Sequence, residues 1–230
     1  MPVITQLTAD NIVTGTVAVT LRDTCGYAMP ITTTVSLASS RGVVDTISPS
    51  VAVNVNPGGQ AFFTIKSGLA SPYVSGAYQP SVFTAISSAV TVGSVNMPFV
   101  CVRGAEDASD GSENISYLFT NDTTESRQLS SLTLSALPLI DPSRHLTGVD
   151  MLPDTIWSGS QTGVVITINS GWTASSRTIA SAGSRFLGLN FDFDVTIPDE
   201  VNEYVLQTQW QDIANTASIC TSQSVVTHRP

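Results

Sequence analysis

SRFLGLNFDFDVTI, residues 184–197, is the stretch that decides the fold. Leu187, Leu189, Phe191, Phe193 and Val195 fall on one face of an extended chain, and Asn190, Asp192 and Asp194 on the other. Side chains alternate across a strand, so a period of two marks a strand with one buried face. Working outward, Glu203–Gln211 repeats the pattern, with Tyr204, Leu206, Thr208 and Trp210 on one side and Trp210 expected in the core. Near the other end, Val13, Val17, Val19 and Leu21 alternate with Thr14, Thr16, Ala18 and Thr20.

Further strands are expected at Thr33–Ser39, Val51–Val55, Gln60–Lys66, Ser81–Ile86 and Ala89–Val95, and then at Asn114–Thr120, Gln128–Ala136, Gly163–Ile168 and Arg177–Ala180. Gly and Pro punctuate the gaps, as at Pro57-Gly58-Gly59, where both glycines are expected to supply positive φ. Gly104–Gly111 reads as a polar, exposed loop and Pro138–Gly159 as a less regular region. Short strands at this spacing predict an all-β chain of two tandem antiparallel β-sandwich, Ig-like domains, residues 1–98 and 99–230.

Composition agrees. Of 230 residues, 42% are hydrophobic and only 12% charged, with Thr, Ser and Val filling the difference. Such a chain buries a core and wets its surface with hydroxyls and amides. The net charge of −9 sets it against nucleic-acid phosphates, and no phosphate-binding glycine loop or basic run occurs. No stretch of about 18 apolar residues is present to span a bilayer as a helix. The opening Met1–Thr5 lacks a basic region followed by an apolar one, so no signal peptide is visible there.

Cys25, Cys101 and Cys220 are an odd set, which leaves at least one thiol unpaired or paired between chains. Two readings stay open: a Cys101–Cys220 disulfide joining the first and last strands of the second domain, which is preferred, and three buried free thiols.

Residues 12–92 resemble a bacterial immunoglobulin-like domain of the invasin and intimin type. The resemblance rests on a Thr/Val strand ending at Leu21-Arg22-Asp23, the loop Asp23–Pro30, the runs Val35–Gly42 and Asp45–Pro49, and Asn56–Ser67 with its Asx–Gly turn and alternating strand. Leu69–Pro80 is longer and richer in Tyr than that pattern. The second half resembles the C-terminal sandwich of bacterial pilin-like surface proteins, through Phe119-Thr120-Asn121, Ile156-Trp157-Ser158-Gly159, Trp172, Arg177-Thr178-Ile179, Phe191, Phe193 and the late Cys220. These resemblances imply a rigid spacer or filament subunit at the cell surface. Its partners would be copies of itself or a small helical pilin-like subunit; the helical stem of such proteins would come from that subunit or from chain beyond these residues.

Chemistry is sparse. With His145 and His228 the available imidazoles and no nucleophile-elbow signature, no catalytic residue is assigned and no enzyme is expected. Asp107, Asp110 and Glu113 in one segment, and Asp192 and Asp194 on one strand face, are weak candidates for calcium, which favours clustered oxygens; otherwise they are solvated acids. Trp157 and Trp172 are weak candidates for stacking on a sugar, with core packing the commoner fate of such rings. Asn114-Ile115-Ser116 and Asn121-Asp122-Thr123 fit the glycan-acceptor triplet, which arises readily by chance in a Ser/Thr-rich chain. The leading expectation is an extracellular, non-enzymatic structural subunit of a pilus-like filament or surface assembly. The alternatives are an adhesin module binding glycan or protein, an accessory domain of a secreted hydrolase, and a phage or virus surface protein.

Overall fold

A computed structural model of the chain describes residues 6–74, 76–109, 114–136, 145–151, 154–162, 177–192 and 202–228. They form an all-β protein of several antiparallel sheets, in two compact units, Met1–Val100 and Cys101–Pro230.

Unit 1 runs β1 (Leu7–Thr8), β2 (Gly15–Thr20), β3 (Thr34–Ser39), β4 (Asp45–Ser48), β5 (Val53–Asn54), β6 (Gln60–Ser67), β7 (Tyr73–Val74), β8 (Ala77–Tyr78), β9 (Ser81–Ser87), β10 (Val90–Met97) and β11 (Phe99–Val100). Two sheets, ordered β2-β6-β4 and β10-β9-β3-β5, carry the core. Apart from the β9–β10 hairpin, paired strands are not consecutive in the chain, as a sandwich with crossing connections requires. Alternation explains what lies between them: Ala61, Phe63 and Ile65 of β6 are buried, and Phe62 between them is half exposed. Val35, Val55, Ala61, Phe63 and Ala85 form the cluster, with Val17, Val19, Leu37 and Ile47 packed against it. β1 lies parallel to β11, and Leu7 packs over Gly15, where a Cβ would stand 2.8 Å from its Cδ1.

The turn before β6 departs from expectation in one detail. Gly59 alone takes positive φ, +73°, and Gly58 does not. The reason is Asn56: its Oδ1 accepts from the N–H of both Gly58 and Gln60, so the side chain closes the turn and one left-handed residue suffices.

Unit 2 runs β12 (Val102–Ser109), β13 (Asn114–Asn121), β14 (Arg127–Ala136), β15 (His145–Met151), β16 (Asp154–Thr162), β17 (Thr178–Ile179), β18 (Ser184–Asp192), β19 (Asn202–Asp212) and β20 (Ile219–His228). A five-stranded sheet, β12-β13-β18-β15-β16, and a four-stranded one, β17-β14-β19-β20, make it up. Buried Tyr117, Phe119 and Leu187 come from the first, and Leu129, Leu132, Leu206 and Trp210 from the second. Phe119 and Trp210 meet with ring centroids 5.3 Å apart, so aromatic contact binds the two sheets.

Two expectations fail here. The supposed loop from Gly104 is strand β12, paired with β13 from Val102↔Asn121 to Ser109↔Ile115. The polar Glu106-Asp107-Ala108 tract contains a register shift, and such a bulge tolerates residues that a regular ladder disfavours. Pro138–Gly159 likewise holds the hairpin β15–β16, with β15 also paired to β18. Pairing with neighbours, which local propensity cannot report, decides both. His145, read as a loop residue, opens β15 and pairs along the backbone with Asp192. The proposed strand Gly163–Ile168 lies outside the described residues.

Candidate functional site

Unit 2 is fastened by covalent and polar contacts where β12 meets β20. Cys101, just before β12, is disulfide-bonded to Cys220 of β20, across 119 residues of sequence. Both cysteines are fully buried. Beside them runs a chain of donors and acceptors: Trp210 Nε1–H donates to Thr208 Oγ1 at 2.8 Å, Thr208 and Ser222 hydroxyls lie 2.9 Å apart, and Ser222 Oγ donates to the Val102 carbonyl at 2.6 Å. Buried polar atoms are costly when unpaired, and here each serves the next. Trp210 is therefore a structural ring with its indole N–H satisfied. The third thiol, Cys25, is free and exposed.

A second network surrounds Asn121. Its side-chain N–H groups donate to the carbonyls of Glu125, Ile179 and Ala180 at 2.8, 3.1 and 3.2 Å. Its Oδ1 accepts from the N–H and hydroxyl of Thr123. Arg127, 1% exposed, donates to Thr123 Oγ1 and to the carbonyl and hydroxyl of Ser218, and its guanidinium stands 3.5 Å from Glu125 Oε2. Asn121 is fully buried, so the triplet Asn121-Asp122-Thr123 offers no glycan acceptor in the folded protein. Asn121, Arg127 and Thr123 were not read from sequence as structural residues. The available signal was a lone Arg at the head of an alternating strand.

In unit 1 the matching residue is Arg41. Its guanidinium lies 3.0 Å from Asp45 Oδ1, donates to Ser67 Oγ at 2.8 Å and the Leu69 carbonyl at 2.7 Å, and sits 5.6 Å over the Phe99 ring. Burial lowers the Arg41 pKa, opposed by the nearby Asp45 carboxylate. The arrangement holds the turn after β3 against the Ser67–Leu69 corner and Phe99. As an apolar, Thr-bearing stretch, Met1–Asn11 suits adding to another subunit's sheet edge or docking on a helical partner. From Leu7 onward it is committed to its own unit: Leu7 and Ala9 are buried, and the N–H groups of Leu7, Ala9 and Asn11 donate to the carbonyls of Pro98, Val100 and Ser67.

For the remaining candidates the structure gives at most a backbone position. Asp107 falls at the β12 register shift, Asp192 ends β18, and Trp157 lies on β16 opposite Val149. The structure describes none of those three side chains, and Asp110, Glu113, Asp194 and Trp172 lie outside the described residues. Among the described residues no three His, Cys, Asp or Glu side chains converge as metal ligands.

The surface that stands out is β10. Val90 to Asn96 are all exposed, including Val90, Val92 and Val95 at 62%, 42% and 37%. Among the described residues it is one of the two edge strands of its sheet. Residues 67–102 contain no charged side chain, and neither do β3 or β5, so this whole four-stranded sheet is uncharged in a chain of net charge −9.

No protein-family model and no curated protein sequence matches the chain. Among solved structures, a Pseudomonas aeruginosa CupB2 chaperone aligns at 11% identity over 96% of this chain and 98% of its own, with a TM-score of 0.27. A collagen adhesin from S. aureus aligns at 12% identity over 98% and 91%, with a TM-score of 0.23. At such scores neither likeness bears on function. The buried disulfide does bear on location: it marks a chain that matures in an oxidising compartment, secreted or periplasmic.

Proposed function

We propose that the chain is a non-enzymatic structural subunit of an extracellular, pilus-like filament or other cell-surface assembly. The observation that carries this reading is the buried Cys101–Cys220 disulfide, which fastens the strands that open and close unit 2. A covalent tie between distant strands suits a protein that must stay folded outside the cell. Buried polar residues support it: Asn121, Arg127, Arg41, Thr208 and Ser222 bond to main chain or to each other and so hold the fold. The partners of this reading are copies of the chain or a small helical pilin-like subunit.

Electron microscopy and size-exclusion chromatography of native material test it. Polymers, or a stable complex with a small helical protein, are the expected result. A solitary 24.2 kDa species that turns over members of a hydrolase panel sinks the proposal on both counts.

A further inference from the structure

Among the described residues, the uncharged sheet of unit 1 ends in an edge whose outward groups can be identified. Ser40 N–H donates to the Val82 carbonyl, so Val82 and, by alternation, Thr84 and Ile86 bond toward β3. Phe83 and Ala85 then bond toward β10, where their partners are Val95 and Gly93. It follows that the N–H and C=O of Ser94 and Asn96 point outward from the edge. The outward row stops at Pro98, whose carbonyl already accepts from Leu7 N–H. Gly93–Met97 is the regular portion of β10, because its register shift falls between Thr91 and Gly93.

We infer that β10 is a self-association edge that pairs antiparallel with β10 of a second copy, about a two-fold axis at Val95. This deepens the assembly reading and rests on it for the partner. Charge selects the partner. Copies of a −9 chain repel where their acids face each other, and this sheet meets a copy with no charge on either side. The strand has none of the Lys, Glu or Pro residues that commonly guard an exposed edge, and among the described residues a register shift is what blunts it. Parity selects the register. Placing Ser94 opposite Asn96 of the copy, and the reverse, joins outward groups to outward groups in four hydrogen bonds. Val95 then faces its own copy as a non-hydrogen-bonded pair, the arrangement that brings β-branched side chains closest. One strand pair is a small interface, so association is weak in dilute solution and favoured where copies are crowded.

Two measurements test this. In a Cys25→Ser background, Val95→Cys places thiols at about 4.5 Å between Cα atoms, within disulfide reach. Oxidation is expected to give a linked species of twice 24.2 kDa for Val95→Cys and none for Val90→Cys. Equal linking at both positions, or none at Val95, overturns the register. In sedimentation, the wild-type mean mass rises above 24.2 kDa with concentration. Ser94→Pro removes an outward donor that no described strand of the sheet uses, and Val95→Lys sets charges face to face; both should stay at 24.2 kDa with unchanged circular dichroism. Assemblies that persist in both variants overturn the β10 pairing and leave the assembly reading standing. A wild-type chain that stays monomeric at every concentration overturns the pairing, and polymers in native material then judge the assembly reading separately.

Discussion

Replacing Asn121 by Ala removes five hydrogen bonds at once, three donated to carbonyls and two accepted from Thr123. They do not count equally. The bonds to Glu125 and Ala180 are part-buried, so water can take over there. The Ile179 carbonyl and the Thr123 N–H are buried, and each orphaned group costs about 1–3 kcal/mol. The sum is about 3 kcal/mol. For a unit of this size that lowers Tm by roughly 10 °C, at about 3–4 °C per kcal/mol. Asn121→Asp should be worse, because it keeps the acceptor but turns an anionic oxygen toward three carbonyls. All three tryptophans, Trp157, Trp172 and Trp210, belong to unit 2, so intrinsic tryptophan fluorescence during urea or thermal unfolding reads this unit by itself. A loss under 0.5 kcal/mol for Asn121→Ala, or an Asn121→Asp protein more stable than Asn121→Ala, would refute the claim that this side chain holds the β13–β17 corner.

Reducing the disulfide, or making Cys101→Ala with Cys220→Ala, should cost unit 2 about 4–5 kcal/mol from the entropy of a 119-residue loop; a tryptophan unfolding curve unmoved by reductant would count against it. Gly59→Ala meets both a positive φ and a Cβ 2.5 Å from the Leu21 carbonyl, whereas Gly26→Ala meets positive φ in open space. Circular dichroism melts should therefore show the first losing more than 2 kcal/mol and the second about 1, and equal losses would remove the steric part of that account. Arg41→Ala strands the fully buried Asp45 carboxylate and should cost about 3–5 kcal/mol, with partial recovery in Arg41→Ala/Asp45→Asn; a double mutant no better than the single one contradicts the ion-pair account.

Alternation carried most of the strands into view, because a two-residue period is a local property that survives without knowledge of the partner. The face Leu206/Thr208/Trp210 was legible for that reason, and all three are buried; the strand Gln60–Lys66 was legible too, and its Ala61, Phe63 and Ile65 are buried. β12 was not legible, since its Glu and Asp residues read as a loop until β13 is laid beside it. The β15–β16 hairpin was hidden because Pro138, Pro142, Gly148 and Pro153 punctuate this stretch and read as breaks.

The all-β class, the uncharged run 67–102 and the preferred Cys101–Cys220 pairing were matters of residue order and composition. Tertiary structure alone decided that Asn121 is a buried peg and not a glycan acceptor, that Leu7 and Ala9 are spent inside their own unit, and that β10 is an edge. The physical reason is common to all three. Burial and hydrogen-bond satisfaction depend on what lies across from a residue, and that neighbour is supplied by chain tens of positions away.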